Sequence, residues 1–77
     1  MAQSDPKRAR ARRAIRAVES ELQKRGWTQS DLARAMGTSS GTVNRWLTGE
    51  RTPDLAMALK LEEVLAVPVR LWAEEAA

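Results

Sequence analysis

The chain has no cysteine, histidine, phenylalanine or tyrosine, and its only aromatic residues are three tryptophans. Without thiols or imidazoles, disulfides, zinc sites of the usual kind and the common nucleophile and base pairs are excluded. No run of about 18 apolar residues occurs, and the N-terminus lacks the apolar core of a signal peptide. The chain is therefore expected to be soluble and cytoplasmic, with no membrane partner. At 77 residues there is room for one domain with a small core, and none for a ligand-binding or protease unit. No metal, cofactor or small-molecule effector is expected. Repeats and low-complexity linkers are absent as well.

Charge is modest in sum, +3, and uneven along the chain. Residues 1 to 16 hold Lys7, Arg8, Arg10, Arg12, Arg13 and Arg16 against Asp5 alone, the middle is balanced, and residues 60 to 77 are acidic. Such a polarised chain presents its basic end to polyanions. Asp5 and Pro6 read as an N-cap and a first helical residue, so a helix is expected from about Pro6 to Arg25, ending at Gly26. Its apolar stripe is Ala11, Ile15, Val18 and Leu22. Cations oppose the helix dipole at an N-terminus, so residues 1–12 are expected as a basic arm or frayed helix start. The domain proper then covers residues 13–77. Within the helix Arg8, Arg12 and Arg16 would fall one turn apart, a cationic stripe suited to the phosphate backbone of a polyanion.

The stretch from Gly26 to Pro53 is the most informative. Thr28 is an N-cap with Asp31 completing a capping box, and Trp27 with Leu32 is placed as a hydrophobic staple. Leu32, Ala33 and Met36 give the helix from Gln29 one apolar face, and Gly37 ends it. Ser39 caps a second helix whose inward face is Val43, Trp46 and Leu47, stopped by Gly49. A small residue at Ala33, a glycine four residues later, then Val43 and Trp46 are the spacing of a helix-turn-helix. The opposite face of the second helix carries Ser40, Gly41, Asn44, Arg45 and Thr48, a surface suited to water or a polar partner.

Downstream, Thr52 and Pro53 read as a cap and first helical residue of a fourth helix running to about Ala66. Its apolar residues (Leu55, Met57, Ala58, Leu59, Leu61, Val64, Leu65) cover more than one stripe, more than a small core can bury. Pro68 opens a short last helix through about Glu75, with Val69 and Trp72 turned inward. Trp27 and Trp46 sit on apolar stripes and are read as core, while Trp72 is open between core and interface. The carboxylate pairs Glu62 with Glu63 and Glu74 with Glu75 diverge by about 100° on a helix, so neither converges on a substrate. Ser39 and Ser40 have no histidine to activate them.

These residues together resemble the Cro and lambda-repressor type of helix-turn-helix, the XRE-type family of phage and bacterial regulators. The resemblance covers roughly Ile15 to Trp72. It rests on W-T-Q-S-D-L-A from Trp27, the Gly37 turn, T-V-N-R-W-L from Thr42, G-E-R-T-P from Gly49 and an aliphatic fourth helix ending before V-P. It implies an all-α, compact five-helix lambda-repressor-like domain with the helix near Ser39 to Thr48 in the major groove of double-stranded DNA. By position it implies base reading by Ser40, Gly41, Asn44 and Arg45. Backbone contact is implied for Gln29, Thr42, Arg51 and Thr52, and the neighbouring Ser39 and Thr48 are grouped with them.

Four positions depart from the family pattern. Ser40 and Gly41 stand where many relatives carry long amides, and are too short for the bidentate contact to adenine. Reading is then expected to rest on Asn44, Arg45 and DNA shape. Leu22 stands where many relatives carry an arginine, so Arg8, Arg12 and Arg16 are argued from charge alone. Ala66 stands where a helix-ending glycine is usual.

The reading is a non-enzymatic, sequence-specific regulator of transcription, most simply a small Cro-like repressor on a palindromic operator, located with the nucleoid. Surplus apolar surface suggests a homodimer through Leu61, Val64, Leu65, Val69, Leu71 and Trp72, on half-sites about 34 Å apart. Two rivals stay open. One is an antitoxin-like or adaptor module gripping a protein with its fourth and fifth helices. The other is an arginine-rich helix, residues 7 to 25, for RNA or anionic membrane.

Overall fold

Five helices make up the described part of the chain, and a glycine or alanine in left-handed backbone ends each of the first four. The computed structural model describes residues 11–74. In chain order the helices are α1 (Arg12–Arg25), α2 (Gln29–Met36), α3 (Ser40–Thr48), α4 (Leu55–Leu65) and α5 (Arg70–Glu74), and no strand occurs among the described residues. Asp5, Pro6, Arg8 and the expected end of the last helix at Glu75 lie outside those residues.

The starts follow capping chemistry. Thr28 is extended, its hydroxyl accepts the Asp31 N–H at 3.1 Å, and the Asp31 carboxylate accepts the Thr28 N–H at 2.8 Å, the reciprocal capping box read from sequence. Ser39 caps α3 by accepting the Thr42 N–H at 3.2 Å. The stops follow backbone geometry. Gly26 and Gly37 have φ of 68° and 73°, and the residue after each reaches back into the helix, Trp27 to the Leu22 carbonyl and Thr38 to the Ala33 carbonyl, both at 2.9 Å. This Schellman arrangement turns the chain tightly and satisfies carbonyls that a helix end leaves without partners.

Three boundaries differ from those expected. A helix from Pro6 to Arg25 cannot be continuous, because Ala11 has φ 64° and α1 begins only at Arg12. Of the expected stripe, Arg12 and Arg16 lie together on α1, and Arg8 is outside the described residues. In the fourth helix Pro53 is not the first helical residue and Thr52 is not its cap. Asp54 is the N-cap, accepting the Met57 N–H at 2.9 Å, and Pro53 is buried in the loop. A carboxylate reaches the N3 amide readily, and proline in the preceding position makes no demand on the helix ladder. The last helix starts at Arg70, two residues after Pro68, whose carbonyl accepts from Leu71 in a preceding turn.

One core joins the helices. Val18 and Leu22 of α1, Leu32 and Met36 of α2, Val43 and Trp46 of α3, Leu61 and Leu65 of α4, and Trp72 of α5 are all buried. α2 packs on α3 and α4, while α1 packs on α3 and α5. Ala33 is buried on α2, the helix that packs on α3. No buried polar or charged residue occurs among those described, so fixing α3 falls to apolar packing.

Candidate nucleic-acid interface

With Val43 and Trp46 held in the core, the rest of α3 is oriented by helical periodicity. Ser40, Gly41, Asn44 and Arg45 are all exposed. Gly41, Asn44, Arg45 and Thr48 recur at spacings of three and four, so they lie on one face. Both ends of that face are tied down by hydrogen bonds. At the start, the Ser39 and Thr42 hydroxyls lie 3.0 Å apart and Ser39 also caps the helix. At the end, the Arg45 carbonyl accepts the Thr48 hydroxyl at 3.2 Å and the Arg51 N–H at 3.1 Å. The second bond folds the Arg51 and Thr52 loop back against the end of α3, with both side chains exposed.

Packing of α1 against α3 adds cations to this surface. Arg12, Ile15 and Arg16 of α1 and Leu47 and Thr48 of α3 line an open groove of about 320 Å³. Three residues expected at the backbone, Arg12, Arg16 and Thr48, thus share one groove although 32 positions separate the second and third. Leu47, expected on the inward face of α3, is half-buried and forms part of the wall, as does Ile15. Periodicity names a helix face; it does not show which neighbour stops short of covering it.

At the other end of α1 the charges are spent locally. Glu21 lies 3.4 Å from both Lys24 and Arg25, and the Arg25 guanidinium stands 5.5 Å from the centre of the half-buried Trp27 ring. A second hollow, lined by Trp27, Asp31, Arg34 and Ala35, is of mixed charge, with Arg34 3.5 Å from Asp31. The backbone N–H of Thr28, then its hydroxyl, hold the Asp31 carboxyl below its usual range, with Arg34 adding to the effect. Gln29 is half-buried at the start of α2 beside this capping box. The cationic groove and the capped, mixed-charge hollow are therefore different surfaces.

Three of the expected dimer contacts are used inside the molecule. Leu61 and Leu65 are fully buried and Trp72 is 5% exposed, so packing within one chain consumes them. Val64, Val69 and Leu71 are half-buried against the same core. Among the described residues, the large apolar side chains left in water are Leu55, 68% exposed, and Leu59, 47% exposed, one turn apart on α4. Both stand in the over-rich apolar pattern of α4, but their i, i+4 spacing away from Leu61 and Leu65 was the signal that separates them.

Two helices joined by a tight left-handed glycine turn, the second with a polar face exposed beside paired arginines, define a DNA-binding helix-turn-helix domain. The family described as helix-turn-helix matches residues 18–72, and the chain belongs to it, within the XRE type that includes Cro and lambda repressor. Its members are regulators that bind double-stranded DNA. No curated protein and no solved structure matches the chain. Among the described residues no helix is long and apolar enough to cross a membrane.

Proposed function

We propose that this protein is a non-enzymatic repressor that occupies a specific operator as a homodimer, in the cytoplasm at the nucleoid. The observation that carries the reading is the exposed α3 face of Ser40, Gly41, Asn44 and Arg45 beside a groove walled by Arg12, Arg16 and Thr48. In this reading α3 enters the major groove. Arg45 and Asn44 hydrogen-bond base edges, since a guanidinium pairs with guanine and a side-chain amide with adenine. Ser40 and Gly41 line the closest approach. Arg12, Arg16, Thr48, Gln29, Ser39, Thr42, Arg51 and Thr52 contact the sugar-phosphate backbone and fix the register.

A dimer is supported by Leu55 and Leu59, which leave an apolar strip on α4 that the other described residues do not cover. With the strip as a shared contact, Val64, Val69 and Leu71 would lie at its margin. The same strip favours an adaptor reading in which α4 binds a different protein. Selection of bound sites from random duplexes at near-physiological salt separates the two. An enriched palindrome is expected, with half-sites about one DNA turn apart. Absence of any enriched sequence, together with partner binding that survives Arg45→Ala, would replace the repressor by the adaptor.

A further inference from the structure

Gly41 is the one glycine within a described helix, the second residue of α3, and nothing among the described residues asks for glycine there. The three other glycines have φ between 68° and 81° and end helices, where a side chain would be strained. Gly41 has no such backbone. A β-carbon built on it would meet only the Ser39 hydroxyl, at 3.9 Å, an ordinary van der Waals distance. Glycine also disfavours a helix through its larger loss of backbone freedom on folding. The residue is thus costly to α3 and unexplained by its conformation or its packing.

Its position supplies a reason. Gly41 precedes Asn44 and Arg45 by three and four residues, so it shares their exposed face and forms a notch beside them. In the major groove the apolar feature that projects from a base edge is the C5-methyl of thymine. Glycine offers no side-chain donor or acceptor, so what it contributes at a base edge is space. We infer that Gly41 is a specificity-determining residue, kept without a β-carbon so that a thymine C5-methyl can seat against the α3 backbone. This inference rests on the DNA-reading function proposed above.

The test uses the full chain, Gly41→Ala, and a duplex enriched by the wild-type protein, with each thymine of the site replaced in turn by deoxyuridine. Gly41→Ala is expected to melt about 2 to 5 °C higher than wild type, since alanine is the better helix former. Lost binding then cannot be lost folding. It is expected to bind the thymine duplex about tenfold more weakly, the scale of one carbon forced into a packed contact. Deoxyuridine at one position per half-site should restore most of that loss, because the missing methyl makes room for the added one. Binding by Gly41→Ala equal to wild type would overturn the inference. So would a loss that no deoxyuridine position relieves, since the close neighbour is then not a methyl. Failure of the wild-type protein to enrich any duplex would instead overturn the DNA-reading function itself, and this inference with it.

Discussion

At the scale of single residues, two alanines carry backbone that alanine does not favour. Ala11 and Ala66 have φ of 64° and 62°, the left-handed region, which costs a residue with a β-carbon about 1 to 2 kcal/mol. Ala66 is exposed and ends α4, its N–H donating to the Glu62 carbonyl at 2.9 Å. Ala66→Gly is expected to stabilise the fold by about 1 kcal/mol after the greater freedom of unfolded glycine is subtracted, seen as a higher denaturation midpoint with unchanged slope. Ala11→Gly should gain less, because Ala11 is 4% exposed and the burial of its methyl would be lost.

Asp31 gives a residue-scale prediction in pH. Its folded pKa is lowered by the Thr28 N–H and hydroxyl, with a further contribution from Arg34. A lowered folded value means the ionised form binds its partners better in the native state. The resulting stability is fully present above the unfolded aspartate value of about 3.9 and is lost as pH falls through the folded one. Melting curves from pH 6 to 2 should show wild type more stable than Asp31→Asn at the upper end, with the gap closing in acid. A gap independent of pH would mean that the charge of Asp31 contributes nothing.

At the scale of elements, the proposed function divides the work of binding DNA between α1 and α3. Arg45 lies on the face of α3 that the core leaves exposed, whereas Arg12 and Arg16 stand across the groove on a different helix. Arg45→Ala is expected to narrow the affinity gap between operator and random DNA by about 1 to 3 kcal/mol. Arg12→Ala and Arg16→Ala should weaken both alike and flatten the salt dependence by about one counterion each. Titrations on both duplexes at several salt concentrations decide this, and identical behaviour of the three variants would remove the division. The element scale is also where sequence was most legible. The α2 and α3 starts at Gln29 and Ser40 were readable because their caps, Thr28 with Asp31 and Ser39, act within four residues. The α4 start differs because Thr52-Pro53 and Asp54 both offer an opening, and it is the Asp54 carboxylate that accepts the Met57 N–H.

At the scale of the whole molecule, the apolar side chains of α4 separate into two populations. Leu61 and Leu65 are buried without residual exposure, while Leu55 and Leu59 face water. Leu61→Ala is expected to destabilise the fold by about 2 to 5 kcal/mol, the range for deleting a buried leucine side chain. Leu55→Ser with Leu59→Ser should leave the melting temperature within a few degrees and abolish self-association on operator DNA, read by sedimentation of the complex. A dimer that persists in the double variant would place its contact elsewhere, and loss of folding would place these leucines in the core.

What the sequence determined by itself is the framework of α2 and α3: Thr28, Gly37 and Ser39 set helix ends through interactions a few residues long, and Ala33, Val43 and Trp46 set the inward faces through helical period. From these follow the helix-turn-helix and the exposure of Asn44 and Arg45. Only the tertiary structure decided that Arg12 and Arg16 share a groove with Thr48, that Leu61, Leu65 and Trp72 are spent inside the chain, and that Gly41 answers to no demand of the fold. The physical reason is range. Caps and periodicity are local and are written in adjacent residues, whereas burial and shared grooves depend on which distant helix arrives at each face.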